Sequence, residues 1–184
     1  MDQHHDGNSN VWRGLAAGAI GGAIGSSAMV LFNHLLGSSG FGRDDPGRHD
    51  QHRRTDAKPN DTDGTISDEP ATEKAASNLH EAATNERLNG PEKRTAGSIL
   101  HHAFGAMVGA AYGAATARVP QLAAGGGVPY GVLVWAAAAE TGLPLVGLAK
   151  PPASYRWERH AASLASHLAF GATLEAVRRS MTRR

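Results

Sequence analysis

Long tracts without Lys, Arg, Asp or Glu alternate along this chain with short, densely charged ones, and residues 14–42 carry none of the four. About 20 apolar residues rising ~1.5 Å each match a hydrocarbon core of ~30 Å. The pattern therefore predicts a first membrane helix over residues 11–37, with Trp12 at the headgroup level, where amphipathic rings collect. Three further apolar segments follow at 96–117, 122–148 and 160–178. The third is interrupted by Gly125-Gly126-Gly127-Val128-Pro129, which either kinks it or shortens it to a helix starting near Pro129. The fourth is the least apolar and ends at Arg178-Arg179.

Small residues punctuate these segments at four-residue intervals. Gly14, Gly18 and Gly22 do so in the first, and Gly105, Gly109 and Gly113 in the second. In lipid, such faces let two backbones approach closely where no hydrophobic drive between helices exists. Gly18, Gly22, Gly105, Gly109, Gly113 and Gly171 are the expected packing positions. In water each helical glycine costs about 1 kcal/mol relative to alanine, which disfavours a soluble Gly/Ala bundle. The expected fold is all-α, a four-helix transmembrane bundle rich in Gly and Ala, with a polar insert between helices 1 and 2.

The polar segments complete the expected organisation. Residues 1–10 read as a polar tail, 149–159 as an interfacial loop with Tyr155 and Trp157 among charges, and 179–184 as a basic tail. Low hydrophobicity and mixed charge predict disorder over 38–66. Over 67–90, Ser67 as cap, Pro70 in the first turn and the stripe Ala71, Ala75, Leu79, Ala82 predict a short amphipathic helix, stopped by Gly90-Pro91. The acidic, His-bearing start and the length of the first apolar tract predict a retained helix rather than a cleaved signal peptide.

Charge and composition narrow the function classes. A net charge of +1 with no basic patch argues against nucleic-acid binding. The absence of cysteine excludes disulfides and thiolate chemistry. Gly125-Gly126-Gly127 lacks the Lys-Ser/Thr of a phosphate loop, and Ser26, Ser27, Ser163 and Ser166 lie where serines bond the preceding turn. No enzymatic activity and no cofactor are expected. The expected partners are the lipid bilayer and either a second copy or another membrane protein, and the expected location is a membrane, crossed several times; that it is the bacterial inner membrane is what the resemblance given below implies. Arg13, Arg118 and the C-terminal arginines favour cytoplasmic termini, whereas Arg43, Lys93, Lys150 and Arg159 oppose this.

Ionisable groups inside apolar segments are costly and turn toward a bundle interior. If the helices alternate in direction, His34, His101, His102, Glu140 and His160 fall at one level, with His167 two turns deeper. Three readings of this layer stand. The groups satisfy neighbouring backbone; they relay protons or ions; or they hold a metal or haem, although no HExxH-like spacing is present. Glu140 is either buried beside a histidine or close enough to a helix end to reach water. Glu175, one turn before Arg178 and Arg179, is expected to pair with either.

Several stretches carry a family likeness. They are Val11-Trp12-Arg13-Gly14-Leu15; His102, Phe104 and Gly105 leading to Ala111-Tyr112-Gly113; Gly131 with Trp135 and Glu140; Gly147-Leu148-Ala149-Lys150-Pro151-Pro152; and His167, Phe170 and Gly171 through Glu175 to Arg178-Arg179. Together, in this order, they resemble the YagU-like family of small bacterial inner-membrane proteins. The resemblance implies four membrane helices and a link to acid-stress tolerance. It brings no catalytic or ligand-binding residues with it.

Overall fold

The computed structural model describes the backbone of residues 3–38 and 69–183, and the side chains of 9–36 and 69–183. The expected disorder at 38–66 falls almost wholly outside these residues. The described chain is all-helical: α1 (Gln3–Ser38), α2 (Ala71–Thr84), α3 (Gly90–Arg118), a 3₁₀ turn (Pro120–Ala123), α4 (Val128–Val134), a π-helical stretch (Trp135–Gly142), α5 (Leu143–Leu145), a second 3₁₀ turn (Pro152–Ser154) and α6 (Trp157–Thr182).

Element ends follow local chemistry, and several differ from the sequence expectation. Asn85, at φ 57°, ends α2 in the left-handed region that Asn tolerates. Gly90-Pro91, expected to stop that helix, instead opens α3. Asn89 Oδ1 accepts from Glu92 N at 3.0 Å, Glu92 Oε2 accepts from Asn89 N at 2.8 Å, and Pro91 needs no donor in a first turn. The N-terminal residues expected as a tail are helical from Gln3, and α6 starts at Trp157 and continues through most of the expected basic tail.

The expected third helix is interrupted and shortened. Gly125, Gly126 and Gly127 have φ of 76°, 65° and 82°, a run only glycine adopts cheaply, and the helix starts at Val128 with Pro129 in its first turn. The π-helical coil farther on accommodates Pro144, which has no N–H for the Glu140 carbonyl and would crowd it in a normal α-turn.

Backbone contact organises the packing. A Cβ built on Gly14, Gly18 or Gly22 of α1 would strike the carbonyl oxygen of Gly113, Gly109 or Gly105 of α3, respectively. The numbers run in opposite senses, so the two helices are antiparallel. A second small face of α1 meets α6, with Gly21 against Leu174 and Gly25 against Phe170. Gly127, which caps α4, and Gly131 within it meet Gly171 and His167 of α6 in the same way. Tyr130 closes α4 onto α3, its hydroxyl donating to Val108 O at 2.7 Å. α1, α3, α4 and α6 thus form an up-down-up-down bundle, with α2 laid on α3.

The bundle carries its bulk on the outside. Tyr112, Phe170 and Leu174 form the small apolar core, beside buried Ser26, Thr116, Ser166 and Glu175. Ile20, Leu31, Met107, Leu133 and Val132 are exposed. Among the described residues one helix, Ser9–Leu36 with mean hydropathy 1.7, is long and apolar enough to cross a membrane. The other three expected spans do not reach that standard: the third is broken into a seven-residue α-helix and a π-helical stretch, and in the second and fourth alanine, glycine and polar residues replace the Leu, Ile and Val that insert best.

Candidate functional site

The expected layer of ionisable groups separates into distinct sites. His34 is exposed on α1 and joins none of them. His160 Nδ1 lies 2.9 Å from Glu140 Oε1, and its Nε2 lies 3.1 Å from Pro152 O. A carboxylate and a carbonyl only accept, so the doubly protonated ring satisfies both at once. The pair is held between the π-helical stretch and the start of α6, with both side chains about three-quarters buried. It borders a cavity of about 160 Å³ shared with Lys150, Tyr155, Arg159 and Ser163.

The rim of this site is charged and aromatic. The Arg159 guanidinium stacks 4.2 Å from the Tyr155 ring centroid, and the Tyr155 hydroxyl accepts from Lys150 N at 3.1 Å. Arg156 donates to Glu158 at 2.8 Å and holds that exposed carboxyl below the usual carboxylate range.

His101 and His167 line a larger cavity, of about 380 Å³, between α1, α3, the π-helical stretch and α6, with α2 as one wall. His167 Nδ1 sits 2.7 Å from Ser163 O, and His102 Nδ1 sits 2.8 Å from Ser98 O. Each carbonyl fixes the proton on Nδ1, because it can only accept. His102 Nε2 then takes a hydrogen bond from Ser27 Oγ at 3.1 Å, tying α3 to α1. His101 meets His102 edge-on with centroids 5.7 Å apart. Among the described residues no three His, Asp or Glu side chains come together to hold a metal ion.

A further polar group lies in the bundle beside Tyr112. Glu175 is 1% exposed and receives Arg178 Nε at 2.6 Å, Arg178 Nη2 at 2.8 Å and Arg179 Nε at 2.5 Å. Arg179 Nη2 also donates to Ala123 O at 3.0 Å, pinning α6 to the 3₁₀ turn. The i, i+3 and i+4 spacing was visible in the sequence. Its burial was not, because the glycine turn that packs over Glu175 Cβ comes from distant residues.

Fold and polar sites together define a small all-helical bundle whose helices meet through glycine backbone and whose internal carboxylates are paired with basic side chains. The chain belongs to the family described as "Protein of unknown function (DUF1440)", whose model matches residues 73–176, from α2 into the last turns of α6. The likeness to the YagU-like proteins is consistent with that membership. No curated protein and no solved structure matches the chain.

Proposed function

We propose that this protein is a four-helix integral protein of the bacterial inner membrane with a structural or interaction role, and that its link to physiology is envelope or acid stress. The observation that supports the membrane assignment is its inverted distribution of residues. Glycine, serine and a paired glutamate lie inside, while Met107 is 60% and Leu133 59% exposed on the outer faces of α3 and α4. Water would penalise this arrangement, whereas lipid tails are a good solvent for the bulky side chains and favour close packing of small ones. The short α4 and the alanine-rich α3 and α6 then depend on α1 and on one another to remain in the bilayer. The stress link comes from the YagU-like resemblance alone. The non-enzymatic role fits carboxylates that are paired with basic side chains, Glu140 with His160 and Glu175 with Arg178 and Arg179.

The chain has no cysteine, so single cysteines report its surroundings cleanly. Cysteine at Met107 or Leu133 should resist a membrane-impermeant maleimide until detergent is added, while cysteine at Ser154 should label in opened vesicles without it. The protein should also stay in the pellet after alkaline carbonate washing. A monodisperse protein recovered without detergent would overturn the assignment.

The His160–Glu140 pair supports a second reading, proton handling, because a ring held between two acceptors can gain and lose a proton beside a carboxylate. In liposomes, proton flux carried by the wild-type protein should drop to the level of empty vesicles in Glu140→Gln. Equal flux in the two proteins removes this reading.

A further inference from the structure

The cavity of about 380 Å³ falls within the range of roughly 300–1,000 Å³ typical of small-molecule sites and well above the ~150 Å³ that admits benzene. Its walls are Met29, Phe104, Val108, Val134, Leu148 and Phe170, together with alanines and four residues bearing polar groups, Ser26, Thr72, His101 and His167. No Asp, Glu, Lys or Arg lines it. A charged ligand would lose its hydration there without a countercharge, which costs several kcal/mol per ion. The occupant the walls suit is neutral and mostly apolar.

The histidines refine this further. His167 carries its proton on Nδ1, engaged at 2.7 Å by Ser163 O of its own helix. Its Nε2 is therefore a lone-pair acceptor at the tip of a side chain that lines the cavity. His101 shares the cavity wall with His167. Ser26 Oγ is directed to His101 O at 3.5 Å, which leaves the hydroxyl proton engaged. Water needs two to four polar partners to settle in an apolar space. A ligand with an apolar body and one hydroxyl donor needs only the acceptor that His167 supplies.

We infer that the cavity between α1, α3, the π-helical stretch and α6 is a binding site for a neutral, lipid-soluble alcohol or phenol, whose hydroxyl donates to His167 Nε2 and whose body fills the space between Phe104, Val134 and Phe170. The inference does not depend on how many helices cross the bilayer, since the cavity belongs to the bundle itself. α2 supplies Ala71, Thr72 and Ala75 to one wall and packs mainly against α3.

Three probes with one body separate the terms: 4-pentylphenol donates a hydrogen bond, 4-pentylanisole only accepts one, and pentylbenzene does neither. Equilibrium dialysis of the full-length protein against matched detergent micelles should show saturable binding of 4-pentylphenol about tenfold tighter than of the other two, the worth of one net hydrogen bond. His167→Leu should erase that preference and keep pentylbenzene binding. Ala138→Phe, which fills the space, should abolish binding of all three while the protein keeps its elution volume. Absence of saturable binding, equal affinities for the three probes, a preference that survives His167→Leu, or binding that survives Ala138→Phe would each overturn the inference. The membrane assignment is read separately by maleimide labelling and carbonate washing, so the two fail independently.

Discussion

Gly22→Ala is expected to cost the fold at least ~3 kcal/mol, the upper range for overpacking a filled interior. The added methyl would strike the Gly105 carbonyl oxygen, with the Gly109 Cα 3.1 Å away. Both are main-chain atoms with no rotamer to swing aside, so the two helices must separate along their whole seam. The readout is the thermal midpoint of detergent-purified protein by circular dichroism. Gly90→Ala is the matched control, since only the Arg94 guanidinium comes near its Cβ, at 3.9 Å. A common midpoint for the two variants would show that α1 and α3 are not in backbone contact.

The second large effect is expected at Glu175. Replacing it with leucine leaves Arg178, whose side chain is 13% exposed, without its countercharge, and such a loss costs about 3–5 kcal/mol. Arg179 retains only its bond to Ala123 O from this group and is more exposed. The double variant Glu175→Leu with Arg178→Leu should be more stable than Glu175→Leu alone, because buried charges removed together leave no orphan. If the single variant melts like the wild type, Glu175 is hydrated and the ion group lies open to water.

Much of the architecture was legible in residue spacing, and what escaped has identifiable physical causes. Glycines four apart on the first two apolar segments announce close helix contact. Yet α1 carries small residues on two faces, Gly14, Gly18 and Gly22 on one and Gly21 and Gly25 on the other, and spacing cannot say which face meets which helix. Gly90-Pro91 was read as a stop because both residues break helices; the Asn89–Glu92 exchange makes it a start. The candidate layer of histidines assumed straight, regular helices. The π-helical stretch and the late start of α4 break that geometry, so Glu140 pairs directly with His160, whose other ring nitrogen meets a loop carbonyl, while His101 and His167 lie at a separate cavity. Spacing gave Glu175 its arginine partners, but only the fold reveals that it is buried.

The α1–α3 seam also bears on movement. Ile20 and Ile24 are exposed on the far side of α1, and the line that faces α3 is Gly14, Gly18, Gly22 and Ser26. Each α1 glycine of this line nests between two α3 glycines, Gly18 against Gly109 and Gly113 and Gly22 against Gly105 and Gly109, with Ser26 against Gly105. Meshed in this way like the teeth of a rack, the two backbones resist sliding past one another.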